Sequence, residues 1–246
     1  MSAITEVTSQ RERITLRQRI RRARSVAQPS GLTNGTDYPY RMVSIVLSMA
    51  LARFGVSPNA ITVAWSLLGF AAACALAAPE LWVRVIAGAL LEVSYLLDFA
   101  DGEVARLLRK QSKKGMFLDL IGHTVIKAAV FLAVGYQTYK AGLGDVYLVL
   151  GFSASVFVVN AHLAPLFAEF TGLRQEPGQR KFTATLRRVG PVRALVSCTA
   201  FLMESPGLYG SVLLATVLGQ PGWLLWCYGI VAPCWLLLRV ARYSGE

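Results

Sequence analysis

The stretch Leu97–His123 reads LDFADGEVARLLRKQSKKGMFLDLIGH and lies at the junction of two strongly apolar segments. It brings four ionisable side chains to the edge of the predicted hydrocarbon region: Asp98, Asp101, Asp119 and His123. Ionisable groups at membrane depth cost free energy and usually serve a function. Three carboxylates at these spacings can hold a divalent cation, and a cation at a membrane surface usually acts on phosphate.

The same stretch resembles the signature of the CDP-alcohol phosphotransferase family, D-x2-D-G-x2-A-R-x8-G-x3-D-x3-D. Seven of the eight signature positions are present at the required spacings, namely Asp98, Asp101, Gly102, Ala105, Arg106, Gly115 and Asp119. His123 stands where the family has its last aspartate. The segment 57–62, SPNAIT, and the number of apolar segments resemble the family more loosely.

The resemblance implies a role for each matching residue. Asp98, Asp101 and Asp119 are expected to bind Mg²⁺ or Mn²⁺. A CDP-alcohol donor is expected to contact a second set of residues, which comprises Asp101, Gly102, Ala105, Arg106, Gly115, Asn59 and Thr62. An acceptor hydroxyl then attacks the phosphorus next to the alcohol, and CMP leaves. The resemblance also implies a homodimer.

The replacement at His123 leaves two interpretations open. Imidazole titrates near pH 6.5 and can act as a general base, whereas Mg²⁺ prefers oxygen ligands. We therefore expect His123 to be the base, beside Asp119 in the catalytic group. The alternative is a polar residue that bonds Asp119 in a protein of altered or lost activity.

The composition indicates an integral membrane protein. The chain has 246 residues, of which 54% are hydrophobic and only 16% charged, and its mean hydropathy is +0.48. The net charge of +11 is concentrated in the first 60 residues, in 103–114, in 171–193 and at the end of the chain. The positive-inside rule then predicts a cytoplasmic site and cytoplasmic termini, in a bacterial-type cytoplasmic membrane. Anionic lipid explains the basic residues more simply than a nucleic acid, so no nucleic-acid partner is expected.

We predict an all-α protein with two parts. Residues 1–39 form a basic cytoplasmic segment with an amphipathic interfacial helix at Arg11–Val26 and a linker. Residues 40–246 form a six-helix membrane domain, which opens with an interfacial helix at Tyr40–Phe54. The predicted spans are Ile61–Ala78, Leu81–Asp98, Met116–Tyr139, Asp145–Ala168, Pro206–Gly219 and Gly222–Val240. Val192–Met203 is predicted as another interfacial helix.

The acceptor site is the least specified part of the prediction. Lys127 either binds an acceptor phosphate or pairs with Glu92, and both readings stay open. Arg187, Arg188 and Arg193 precede the fifth predicted span at the cytoplasmic face, which suits an acceptor phosphate but also follows from topology alone.

Several function classes compete. Within the family, the donor is either CDP-diacylglycerol with a polar acceptor or a soluble CDP-alcohol with a lipid acceptor. A non-catalytic relative that binds nucleotide or lipid is a third possibility, because of His123. A prenyltransferase usually has a second aspartate-rich motif, and a transporter usually has repeated broken helices; neither pattern is found in the sequence.

Overall fold

The computed structural model describes residues 15–28, 38–172, 202–203 and 205–241. Within these ranges the chain forms helices and turns without any β-strand. The helices are α1 (Leu16–Ala27), α2 (Tyr38–Arg53), α3 (Pro58–Ala75), α4 (Leu81–Leu107), α5 (Lys113–Thr138), α6 (Val146–Phe170), α7 (Ser205–Val217) and α8 (Pro221–Ala241). A π-helical turn, Tyr139–Leu143, follows α5.

Four of the helices in the described ranges are long and apolar enough to cross a membrane. They are α3, α5 together with the turn that follows it, α6 and α8. Helix α4 has 27 residues, or about 40 Å, but carries Arg84, Glu92, Asp98 and Asp101. Helix α7 has only 13 residues. The all-helical prediction is confirmed, and six crossings stay a prediction.

The outer faces of the long helices are apolar. Leu67 on α3, Phe152 on α6 and Leu237 on α8 expose most of their side chains. Large apolar side chains exposed in this number suit contact with lipid rather than water. Together with the four apolar helices, they make this a multi-pass integral membrane protein.

Side-chain caps set where the two helices on either side of the motif begin. The hydroxyl of Ser57 accepts from the Ala60 amide, with Pro58 at the first turn, and α3 begins there. Ser112 caps α5 in the same way and accepts from the Gly115 amide at 3.0 Å. Both caps lie at the same end of the bundle as the motif.

Helix α3 packs against both α4 and α5, and the three helices form the scaffold of the motif. Small residues permit this close packing: a Cβ added at Gly69 of α3 would lie 2.5 Å from Ile126 Cδ1 and 2.6 Å from Ser94 Oγ. Helix α2 and helix α7 pack against α4, and α6 packs between α5 and α8. The motif on α4 therefore has helices on several sides.

Most helix boundaries lie within three residues of the predicted ones, and the end of α4 is the main exception. Helix α2 begins at Tyr38, two residues before the predicted boundary at 40, and α4 continues nine residues past Asp98 to Leu107. The described part of the first predicted interfacial helix is helical from Leu16 to Ala27. The predicted helix at Val192–Met203 lies outside the described residues except for its last two.

Candidate functional site

Two carboxylates and one imidazole meet where α4 faces α5. His123 Nε2 lies 3.3 Å from Asp98 Oδ2 and 3.5 Å from Asp119 Oδ1. Asp119 and His123 are four residues apart on α5, so they share one face of the helix. Each of the three side chains offers one possible metal-ligand atom, and these atoms all lie within 4.8 Å of one another. We call Asp98, Asp119 and His123 the acidic triad.

Asp101 has a different set of partners. Its Oδ2 accepts hydrogen bonds from Thr62 Oγ1 at 2.6 Å and from the Trp65 indole at 2.7 Å. Both donors are on α3, and both are buried. Asp101 therefore joins α4 to α3, while its neighbour Asp98, one turn earlier, faces α5.

One cavity of about 240 Å³ opens beside these carboxylates at the end of α3, α4 and α5. All seven residues that the resemblance implied for the nucleotide line it, together with Asp119 of the triad. The remaining lining residues are Pro58, Lys110, Gln111, Ser112 and Met116. Residues from Pro58 to Asp119, 61 positions apart in sequence, thus surround a single space.

Glycines let α5 approach α3 closely at this cavity. A Cβ on Gly115 would lie 2.9 Å from Asn59 Oδ1, and a Cβ on Gly122 would lie 2.8 Å from the Trp65 ring. The ring of Trp65 in turn lies 4.9 Å from that of His123, centroid to centroid. A larger residue at either glycine would move a side chain that touches the acidic triad or the cavity.

Arg106 lies at the cavity wall and also contacts the N-terminal helix. Its Nε donates to the carbonyl of Ala27 at the end of α1. Its guanidinium group covers Gly102, with Nη1 and Nη2 both 3.4 Å from the position of an added Cβ. The contact with Ala27 could not be expected from the motif.

Lys127 is almost fully buried one turn beyond His123, and it does not line the cavity. Its Nζ lies 3.0 Å from His162 Nδ1 on α6, while Glu92 accepts from the Tyr40 hydroxyl at 2.7 Å. The ring of His162 lies 5.8 Å from that of His123. The other residues predicted for the acceptor, Arg187, Arg188 and Arg193, lie outside the described residues.

Two residues of this region were not predicted. Trp65 holds Asp101, but an indole in an apolar segment carries no sequence signal of such a bond. Glu103 is fully buried on α4 at a position that the family pattern leaves free. Its charge inside the motif was a usable signal, because carboxylates are rarely buried without partners.

The acidic triad suits a divalent cation. Two carboxylates supply the oxygen ligands that Mg²⁺ and Mn²⁺ favour, and imidazole is accepted more readily by Mn²⁺ than by Mg²⁺. Three charged or ionisable groups converging at part-buried positions are costly without a cation to balance them. The residues present therefore fit a metal.

A second, apolar groove of about 280 Å³ lies on another side of α3 and α5. Its lining is almost entirely hydrocarbon, from Val63, Ser66, Leu67, Phe70, Leu118, Ile121, Gly122 and Val125. The same two helices thus line a polar cavity and an apolar groove.

Comparison with known proteins agrees with this geometry. The family model for CDP-alcohol phosphatidyltransferase matches residues 55–219. A bifunctional IPC transferase and DIPP synthase from Thermococcus kodakarensis is 30% identical over 132 residues, which cover 51% of this chain and 30% of that protein. The chain thus matches less than a third of that relative's length. The family match spans most of the described helices, including the whole motif, and the chain therefore belongs to the CDP-alcohol phosphatidyltransferase family.

Proposed function

We propose that this chain is a metal-dependent membrane transferase. It moves a phosphatidyl or phospho-alcohol group from a CDP-alcohol, foremost CDP-diacylglycerol, to the hydroxyl of a polar acceptor in phospholipid biosynthesis. One observation carries the proposal: the residues expected to bind the nucleotide line a single cavity that also reaches the acidic triad. Membership of the family supports the general CDP-alcohol phosphotransferase activity.

The acidic triad performs the chemistry in this proposal. Asp98 and Asp119 hold Mg²⁺ or Mn²⁺, with Asp101 as a third carboxylate steadied by Thr62 and Trp65. When bound, the metal neutralises the diphosphate and the negative charge that develops during transfer. The cavity beside these carboxylates has room for the nucleotide end of the donor.

His123 is the general base of the proposed reaction. The acceptor oxygen forms a bond to the phosphorus that carries the alcohol, and the bond from that phosphorus to the bridging oxygen breaks. CMP leaves with the bridging oxygen and its electron pair, and the hydroxyl proton passes to His123 Nε2. Asp98 and Asp119, both within 3.5 Å of this atom, stabilise the positive charge that the ring gains.

A lipid donor is favoured because α3 and α5 line two spaces of opposite character. The polar cavity suits the cytidine and diphosphate, and the apolar groove of Val63, Leu67 and Phe70 suits an acyl chain. CDP-diacylglycerol needs both environments within one molecule, whereas a soluble CDP-alcohol needs only the first and its lipid acceptor only the second. The acceptor is then a small polar alcohol. Lys127 does not line the cavity and contacts His162, so its contribution to acceptor binding is indirect.

The proposed protein is a homodimer of six-span subunits, with α4 and α7 as the additional crossings. Helix α4 is long enough to cross a membrane. Some of its charged residues, such as the buried Asp101, face other helices rather than lipid. The basic residues near α1 and the α4–α5 turn support a cytoplasmic site and cytoplasmic termini.

A test is CMP release by the purified chain in detergent with Mg²⁺ and CDP-diacylglycerol. The acceptor panel is glycerol phosphate, inositol phosphate, inositol, serine and glycerol. We expect CMP release that depends on one acceptor. CMP release only with a soluble CDP-alcohol and a lipid acceptor would reverse the donor assignment. Binding of CDP and metal without release in either arrangement would identify a non-catalytic relative.

A further inference from the structure

Glu103 lies on the turn of α4 between Asp101 and Arg106, with its side chain fully buried. Its carboxylate accepts three short hydrogen bonds, from Gln28 Nε2 at 2.6 Å, Ser44 Oγ at 2.7 Å and Ser48 Oγ at 2.7 Å. We call Glu103, Gln28, Ser44 and Ser48 the Glu103 cluster. It joins α4 to the end of α1 and to α2.

The end of α1 is attached to α4 at a second point. Arg106 Nε donates to the carbonyl of Ala27, which directly precedes Gln28. The last carbonyls of a helix have no partner within the helix and carry a partial negative charge, so a guanidinium group is a favourable partner for one of them. Glu103 and Arg106 are three residues apart and contact neighbouring residues of α1.

These two contacts bear on the nucleotide cavity through Arg106. The Nε of Arg106 donates to the Ala27 carbonyl, and its Nη1 and Nη2 lie over Gly102 at the cavity wall. A guanidinium group that is already oriented loses less conformational entropy when a phosphate binds than a freely rotating one does. Gln28 itself also donates to the Arg41 carbonyl at 2.8 Å, which fixes it further.

We propose that Gln28 and Glu103 are positioning residues for nucleotide binding. By holding the end of α1 on α4, they keep the Ala27 carbonyl where it orients Arg106 toward the diphosphate of the CDP donor. This inference rests on the proposed function, since it takes the cavity as the CDP site. It assigns to the N-terminal helix a part in substrate binding, besides any contact with lipid.

The test is a double-mutant cycle read by CDP affinity. The Kd for CDP is measured by titration calorimetry on the full chain in detergent with Mg²⁺, for wild type, Gln28→Ala, Arg106→Ala and the double variant. Gln28→Ala should raise the Kd about threefold to tenfold, the usual contribution of one hydrogen bond. In the Arg106→Ala background, Gln28→Ala should not raise the Kd further, because Gln28 acts through Arg106, which is absent there.

Ser25→Ala is the matched control. Ser25 is exposed on the same helix, and within the described part of the chain its hydroxyl bonds to the Arg22 carbonyl of that helix. Its Kd for CDP should equal that of wild type. An unchanged Kd in Gln28→Ala would overturn the inference but not the proposed nucleotide site. The same conclusion would follow if Gln28→Ala raised the Kd equally with and without Arg106. An unchanged Kd in Arg106→Ala would overturn both the inference and the proposed nucleotide site.

A second pair of variants tests the cluster from α4. In Glu103→Gln the amide oxygen can still accept from Gln28 and Ser44, so the Kd should stay within about twofold of wild type. Glu103→Leu removes the acceptors, and its Kd should rise at least as much as in Gln28→Ala. A Glu103→Leu chain that binds CDP like wild type would contradict the inference. If this variant does not fold, the double-mutant cycle on the part-buried Gln28 still tests the inference.

Discussion

Helix α4 carries two acidic clusters five residues apart, and their partners differ in kind. Asp98 meets Asp119 and His123, which are both ionisable. Glu103 meets an amide and two hydroxyl groups, which are neutral donors. A carboxylate with both oxygens bonded to neutral donors, as in Glu103, is satisfied and structural, whereas one beside a second carboxylate needs a cation or a proton. The comparison indicates which acidic positions of the motif perform chemistry.

The burial of the two clusters agrees with this division. Glu103 is fully buried, while Asp98 exposes 15% and Asp119 41% of the side chain. A group that contacts substrate or metal must be reachable, and a group that only joins helices need not be. The four experiments that follow would break or sharpen this contrast.

Removal of divalent metal should have the largest effect. We expect dialysis against EDTA to abolish CMP release and added Mg²⁺ or Mn²⁺ to restore it, because Asp98, Asp101 and Asp119 hold the metal in this account and His123 is the base. Chelation should also lower the unfolding temperature, because an ion bound to the folded state stabilises it, but the chain should stay folded since the Glu103 cluster needs no cation. Full activity after chelation would remove the metal from the reaction and leave the acidic triad without a role.

Asp119→Asn should lower turnover by about 10³-fold, since it removes a metal ligand worth several kcal/mol in the transition state. The measurement is the initial rate of CMP release, with thermal unfolding as a check of the fold. Asp145→Asn is the control, because Asp145 is an exposed acid at the start of α6. Equal rates in the two variants would be incompatible with the proposed site.

His123→Ala should lower turnover by about 10²-fold, the usual contribution of a general base. CDP binding should stay close to that of wild type, because His123 does not line the nucleotide cavity. His123→Asp restores the residue of the family signature and should recover much of the loss. A His123→Asp chain as slow as His123→Ala would mean that this position no longer has the family role.

Gly122→Ala should affect stability more than chemistry. The added methyl group would lie against Ser66 Oγ and 2.8 Å from the Trp65 ring, so these side chains must shift, at a cost of about 1–3 kcal/mol in unfolding free energy. Gly210→Ala on α7 is the control, because its nearest neighbour would be Glu92 Oε1 at an ordinary 3.5 Å. Equal stability in both variants would mean that α3 and α5 are less tightly packed than described.

Much of the candidate site could be predicted because its residues lie in one short motif. The spacing of Asp119 and His123 on one helix face follows from helix geometry, and the start of α3 follows from Ser57 and Pro58. The grouping of Asn59 and Thr62 with the motif came from the family resemblance. The cavity that these residues line is consistent with that expectation.

The rest depends on contacts between distant parts of the chain. Gln28 meets Glu103 across 75 residues, and Trp65 meets Asp101 across 36. No local pattern encodes such pairs, since they arise only when α1, α2 and α3 pack on α4. The six predicted crossings likewise stay a prediction, because α4 combines the length of a span with the charge of a site.

The most direct test of the contrast between the two clusters is a side-by-side comparison of Asp98→Asn and Glu103→Leu. CMP release is measured at saturating donor, and thermal unfolding is measured on the same preparations. Asp98→Asn should lose about 10³-fold in turnover and keep its unfolding temperature. Glu103→Leu should unfold at a lower temperature, because two buried hydroxyl groups and the Gln28 amide lose their acceptor, and keep its turnover within about tenfold of wild type. The reverse pattern, or an active Asp98→Asn chain, would contradict the account.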